Sequence, residues 1–469
     1  MSAAGDLARG VVMAGIDATA IDDRLPRVGG YLLFNRDDAT IGEIRALTDE
    51  LRERHGGNVL IAIDQEGGRV ARLRRGVEAI PPMMALGATG DAGLARRAGE
   101  QIAFDLRRAG CTLDFAPVLD LALEPESVVM GNRCFGSDPH LVAMLGAAFG
   151  SGLRSGGVLP CYKHFPGHGA TAVDSHDALP VIEAGAATLL ARDLVPFAAV
   201  ASDAPAMMSA HVLVTAFDSE RPATFSRRIA GDLLRGELGF RGALVTDCLE
   251  MQAAARDSGA VDALAAGADL LVFSHDPERA LAAVAAIEAA VEAGRVPLER
   301  LQEAYARVAR LRDAGAMPIA LGEFAPHPGI GREIGRRAVT TLRGVPHADP
   351  VAAIAVAFGG ATALRREAPA LDEVVAAGDP APEETDAALA RIERSGRRPL
   401  VLARGADRHP ARAGAIARIL DAYPDAVVVA FERAGAPVFT RARHLLLVYG
   451  DDAASIGGLA DAIFSTGPS

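Results

Sequence analysis

Tryptophan is missing altogether from these 469 residues, and all aromatic residues together make up only 4% of them. Stacking platforms are built from aromatic faces, so a ligand is expected to be gripped by hydrogen bonds in a pocket, not laid along a ring-lined cleft. Cysteine is nearly as scarce. Cys111, Cys134, Cys161 and Cys248 lie far apart and form no Cys-x-x-Cys pair, which argues against a zinc site or a disulfide framework. Isolated cysteines of this kind read as small buried apolar fillers. No uninterrupted apolar segment reaches the ~20 residues of a membrane-spanning helix. The start, Met1-Ser-Ala-Ala-Gly-Asp-Leu-Ala-Arg-Gly10, has no basic leader followed by an apolar core. The expectation is a cytoplasmic protein with no membrane partner. Positive charge is in deficit as well, with 48 Lys and Arg against 60 Asp and Glu and a net charge of -12. Nucleic acid is bound by clustered cations, so it is not an expected partner.

What the chain does contain is a regular alternation. Short apolar runs recur at Gly10–Ile16, Gly30–Phe34, Val59–Ile63, Thr112–Ala116, Val158–Tyr162, Ala206–Ala210, Ala243–Thr246 and Ala268–Phe273. Segments with helical periodicity lie between them, such as Leu94–Arg108. Eight strand-helix units in this length predict a closed (β/α)8 TIM-type barrel, with its first two connections irregular. After a Gly- and Pro-containing stretch, four further runs follow at Val351–Phe358, Pro399–Ala403, Ala426–Phe431 and His444–Tyr449. These alternate with Ala- and Arg-rich helices and predict a smaller three-layer α/β domain. The expected division is a barrel over 1–335, a linker over 336–350 with one helix near 331–341, and a C-terminal α/β sandwich domain of structural role over 351–469. Gly359-Gly360 lacks the spaced glycines of a dinucleotide fingerprint and reads as a turn, so no cofactor is expected.

The densest chemistry lies in Cys161-Tyr-Lys-His-Phe-Pro-Gly-His-Gly-Ala-Thr-Ala-Val-Asp-Ser-His176. An apolar strand runs into Pro166, Gly167 and Gly169, which break pairing and permit unusual backbone angles. Lys163 and His164 are thereby placed at a strand's carboxyl end, with His168, Asp174 and His176 on a loop with glycine hinges. Asp64, His211 and Asp247 fall at the carboxyl ends of other strands, the end of such a barrel where catalysis occurs.

This loop resembles the signature of the family 3 glycoside hydrolases, in the β-N-acetylglucosaminidase branch. Four further segments resemble the same family in the same order: Ile63-Asp-Gln-Glu-Gly-Gly-Arg-Val-Ala-Arg72, Asp114-Phe-Ala-Pro-Val-Leu-Asp120, Gly131-Asn-Arg-Cys-Phe-Gly136 and Gly242-Ala-Leu-Val-Thr-Asp-Cys-Leu-Glu-Met251. The resemblance covers roughly the first 340 residues. It implies that Asp247 is the nucleophile, that His176 with its partner Asp174 is the acid/base, and that Asp64, Arg72, Arg133, Lys163 and His164 hold the terminal sugar. Ala170 departs from the Asp or Asn that family sequences often place there.

The residue types suit that chemistry. Retaining hydrolysis needs a nucleophile beneath the anomeric carbon and a proton donor beside the leaving oxygen. Histidine titrates near neutrality and can serve as both acid and base, with an aspartate to orient it. The resulting expectation is a retaining exo-β-N-acetylglucosaminidase acting on small glycans or muropeptides from peptidoglycan. A phosphorylase or β-glucosidase of the same family is the nearest alternative. A metal-dependent barrel hydrolase using His164, His168 and Asp247 is another, and a non-catalytic sugar-fragment sensor a third. The loop through Gly167 and Gly169 is further expected to be displaced in the empty enzyme, with a bound sugar drawing His176 inward. The oligomeric state is left open.

Overall fold

The computed structural model describes residues 2–16, 21, 25–34, 39–125, 127, 129–175, 177–315, 326–344, 349, 351–358 and 363–464. They form two compact units, Met1–Glu78 with Gly90–Pro328, and Ala79–Thr89 with Gly329–Ser469.

In the first unit eight parallel strands form a barrel: β1 (Val12–Ile16), β2 (Gly30–Leu33), β3 (Leu60–Ile63), β4 (Leu113–Asp114), β5 (Leu159–Phe165), β6 (Ala206–Ser209), β7 (Ala243–Thr246) and β8 (Leu271–Phe273). The sheet runs β7-β6-β5-β4-β3-β2-β1-β8, and a bridge from Val245 to Leu270 joins its two ends. Almost every strand residue is buried. One face fills the barrel interior and the other meets helices, which is why these strands read as continuous apolar runs.

The helices are set by local signals. Helix Ile41–His55 opens with a Thr40–Glu43 capping box and closes at Gly56 in the left-handed region. This makes the second connection regular, contrary to the sequence expectation. The first connection carries no helix among the described residues. Helix Ala92–Ala109 is capped by Asp91 and buries Leu94, Ala98, Ile102 and Leu106 along one stripe. It crosses helix Pro139–Ser155 through two glycines: a Cβ on Gly99 would lie 2.2 Å from the Phe149 carbonyl oxygen, and one on Gly152 would lie 2.1 Å from that of Arg96. Among the described residues no helix is long and apolar enough to cross a membrane.

The second unit holds a six-stranded sheet of β9 (Thr340–Arg343), β10 (Ala353–Phe358), β11 (Asp372–Ala376), β12 (Arg398–Ala403), β13 (Val427–Phe431) and β14 (His444–Val448). The order is β9-β14-β13-β12-β10-β11. All neighbours are parallel except β9, which pairs antiparallel with β14. Alternate residues of one strand feed two cores. Ile354 and Val356 pack with Ile416 and Ile419, whereas Ala353 and Ala355 pack with Leu459 and Ile463. Two features differ from the expected division. Residues 330–343, expected as barrel end and linker, are helix Ile330–Ala338 and strand β9 of this unit, and Ala79–Thr89 belongs to it as well. Strands β9 and β11 carry Thr-Thr-Leu-Arg and Asp-Glu-Val-Val-Ala. They are edge strands, and edge strands need no apolar run.

Candidate active site

The carboxyl ends of the barrel strands surround a cavity of about 720 Å³. It is lined by five of the eight site residues expected from sequence, Asp64, Arg72, Arg133, Lys163 and His164, and by a sixth, Asp247. Asp64 follows β3 directly. Lys163 and His164 belong to β5, which continues three residues past the expected end at Tyr162. The Lys163-His164, Phe165-Pro166 and Ala116-Pro117 peptides are cis. Asp247 follows β7, with its Oδ1 accepting the Cys248 N–H at 2.7 Å.

Two acidic residues grip Lys163. Its Nζ lies 2.8 Å from Asp64 Oδ1 and 2.5 Å from Glu66 Oε1. Glu66 also takes a two-pronged bond from Arg133, Nε to Oε2 at 2.8 Å and a terminal nitrogen to Oε1 at 2.7 Å. Burial alone would raise the Glu66 carboxyl, but the Arg133 and Lys163 charges outweigh it and drive it far below the usual carboxylate range. The same carboxylates push the Lys163 ammonium up against the opposing effect of its burial. Arg72 sits farther out, 3.9 Å from Asp64 Oδ2, with its guanidinium 5.0 Å from the Phe34 ring centre. Behind this cluster Asp114 is fully buried. Burial, with the Asp64 and Glu66 charges adding to it, pushes its carboxyl well above the ordinary range. Asp114 Oδ1 accepts the Gln65 N–H at 2.9 Å, and Gln65 in turn bonds the backbone of Arg72 and Leu73.

A second buried carboxylate organises the loop. Asp120 accepts the His164 ring Nδ1 at 2.6 Å, the His164 N–H at 3.2 Å and the His168 N–H at 2.6 Å. The His164 side chain also lines the cavity. Burial would raise Asp247, but the His164 and His211 charges, the Cys248 N–H and Lys163 together hold it below the usual carboxylate range. It is therefore ionised near neutrality, as a nucleophile must be.

Of the expected acid/base pair, Asp174 is described and half-buried, and it does not line the cavity, whereas its neighbour Ser175 does. His176 lies outside the described residues. One of the loop glycines also has a packing role. A Cβ on Gly169 would fall 1.8 Å from the Leu121 carbonyl oxygen, so this glycine permits close packing. Ser175 is buried, its carbonyl accepts the Ala253 N–H at 3.2 Å, and its Oγ lies 3.3 Å from His168 Nε2.

Sequence reasoning passed over Glu66, Asp120 and Glu250, although all three stand inside segments singled out above. Glu250 accepts the His275 and Asp276 N–H groups at 2.8 and 3.0 Å and fixes the loop after β8. The signal that could have found them is charge: each is an acidic residue within an apolar strand-end segment, where a carboxylate needs partners. The four cysteines are buried and free. Burial pushes the Cys111 thiol up to about 12 and that of Cys248 up to about 11, so neither supplies a thiolate at neutral pH. Among the described residues no three His, Cys, Asp or Glu side chains are placed to hold a metal ion, and the set His164, His168 and Asp247 is no exception.

His211, at the end of β6, is buried and hydrogen-bonded at both ring nitrogens. Its Nε2 donates to the Cys248 carbonyl at 2.9 Å and its Nδ1 meets the Thr224 hydroxyl at 2.7 Å. Burial lowers its pKa below the ordinary 6.5, against the raising effect of Asp247. The unfolded chain thus takes up a proton at His211 before the folded one does. Stability is retained above about pH 6.5 and falls as pH drops from there towards the folded-state value, with a limiting slope of about 1.4 kcal/mol per pH unit for one proton. Unfolding followed between pH 7 and 5 is expected to show this slope reduced in His211→Asn, and an unchanged slope would remove His211 as its source.

The chain matches the glycosyl hydrolase family 3 N-terminal domain over residues 17–311. A β-hexosaminidase of Chromobacterium violaceum is 42% identical over 299 residues, which cover 60% of this chain and 83% of that protein. Among solved structures, a glycoside hydrolase family 3 β-N-acetylglucosaminidase from a Paenibacillus species superposes with a TM-score of 0.88 at 32% identity, covering 99% of this chain and 96% of that one. NagZ from Neisseria gonorrhoeae in complex with N-trifluoroacetyl-D-glucosamine gives a TM-score of 0.54 at 33% identity, covering 65% of this chain and 98% of that one.

Proposed function

Because the chain belongs to glycoside hydrolase family 3 and is a glycoside hydrolase, we propose that it is a retaining exo-β-N-acetylglucosaminidase releasing terminal β-linked N-acetylglucosamine from small glycans. The observation that carries this reading is Asp247. Its carboxylate is kept ionised at the end of β7, in the wall of a cavity whose other polar groups include Asp64, Arg133, Lys163 and His164. The names of the relatives supply the sugar.

In the first step Asp247 attacks the anomeric carbon as His176, oriented by Asp174, protonates the leaving oxygen. In the second, His176 takes a proton from water, which displaces Asp247 and regenerates the carboxylate. These two roles rest on the Asp174-Ser-His176 motif. The absence of tryptophan supports a pocket that holds one terminal sugar by hydrogen bonds. The proposed setting is cytoplasmic, with peptidoglycan-derived fragments as substrates and the barrel unit, Met1–Glu78 with Gly90–Pro328, as the catalytic domain.

Assay of an aryl β-N-acetylglucosaminide beside the matching β-glucoside, each with and without inorganic phosphate, tests the reading. The expected result is free N-acetylglucosamine as product, at least ~10-fold preference for the N-acetyl sugar, a discrimination that a few directed contacts can supply, and no dependence on phosphate. A sugar 1-phosphate product, or equal rates on the glucoside, would replace it with one of the two family alternatives.

A further inference from the structure

Glu66 is the node of the charged cluster, and three of the roughly four acceptor positions of its carboxylate are taken there. Oε1 receives Lys163 and one Arg133 nitrogen, and Oε2 receives the Arg133 Nε. The side chain is only 1% exposed. Its backbone is held equally firmly. Gln65 braces the hairpin through Leu73 and Asp114, and Gly67 and Gly68 turn the chain with φ of +100° and +55°. Glu66 therefore has little left with which to touch a substrate, and much with which to aim its neighbours.

Those neighbours keep donors in reserve. An ammonium has three N–H groups and a guanidinium five. Lys163 directs two at Asp64 and Glu66, which leaves one. Arg133 gives two to Glu66 and one to the Val129 carbonyl, which leaves two among the described residues. Both side chains line the cavity. A lysine on its flexible four-carbon stem has many rotamers, so its remaining N–H points in one direction only while both acceptors hold it. Asp64 cannot do this alone, because among the described residues it bonds Lys163 but not Arg133. Glu66 reaches both.

We propose that Glu66 is a positioning residue that locks Lys163 and Arg133 into one rigid donor pair for the hydroxyl groups of the bound sugar. The proposal rests on the reading that this cavity binds a glycoside. A carboxylate with two cationic partners fits the task, since its negative charge cannot be replaced by an amide of equal size without orphaning one partner.

The test is a double-mutant cycle of Glu66→Gln, Lys163→Ala and the pair together, with kcat and KM measured separately on whichever aryl glycoside the wild-type enzyme cleaves fastest. That substrate is chosen before any variant is assayed, so an error about the N-acetyl sugar shows in the wild type and leaves the cycle intact. Glu66→Gln is expected to lose at least ~30-fold in kcat/KM, and the double variant to fall at least ~10-fold short of the product of the single losses, as for side chains acting as a unit. Glu66→Asp, which keeps the charge but shortens its reach, is expected to fold and to recover part of the loss; it stands in for Glu66→Gln should that protein not fold. Single losses that multiply within about threefold, or either Glu66 variant within about threefold of wild type, would overturn the proposal.

Discussion

Replacing Asp247 by Ala or Asn is expected to lower turnover by on the order of 10⁴-fold or more, the scale seen when a covalent nucleophile is removed. The fold should persist. Asp247 is a strand-end residue whose Oδ1 accepts the Cys248 N–H and whose own N–H donates to the Ser209 carbonyl, and of these two only the first is lost in the alanine variant. The charge change is tolerable too, because Asp247 is one of several ionised groups around a partly open cavity. Thermal unfolding of the variant should therefore lie close to that of the wild type while the rate collapses. Small anions such as azide can enter the space vacated in Asp247→Ala and attack the anomeric carbon in its place. Recovery of activity with a glycosyl azide as product would identify the lost group as the nucleophile. Substantial hydrolysis by the unassisted variant would remove Asp247 from that role.

The second large effect concerns the proton. If His176 protonates the leaving oxygen, His176→Ala is expected to cost on the order of 10²–10⁴-fold on substrates whose leaving alcohol is a sugar, the usual range for a general acid. Activated aryl glycosides depart without that help and should suffer far less in the bond-breaking step. A plot of rate against leaving-group pKa should therefore steepen in the variant. Asp174→Asn is expected to move in the same direction more weakly, because the ring loses its orienting partner but not its proton. Equal losses across the leaving-group series would point to binding instead of proton transfer.

Much of the barrel was legible because buried parallel strands must be apolar on both faces. All eight expected runs became strands, and Asp64, Lys163, His164 and Asp247 were placed at their carboxyl ends by strand boundaries alone. The second sheet was legible for the same reason in β10, β12, β13 and β14. Its edge strands β9 and β11 were not, since an edge strand exposes one side and can be built from Thr, Asp and Arg. Helix Ile41–His55 was underread because its signal is the Thr40–Glu43 capping box and Gly56, not a long apolar stripe.

The residues proposed for the chemistry come from the sequence, whose resemblance to its family implies Asp247 and His176 as the reacting groups and Lys163 and His164 as holders of the sugar before any coordinate is known. Tertiary structure alone decided how Asp247 and Lys163 are charged and placed. Glu66 and Asp120 became visible as organisers only when 67 positions of chain separation to Arg133, and 44 to His164, closed to hydrogen-bond distance. Gly169 likewise proved to be a contact point against Leu121. The physical reason is common to all three. Local sequence governs backbone angles and which faces are apolar, whereas the ionisation and direction of a buried polar group depend on which distant charges and carbonyls share its enclosure.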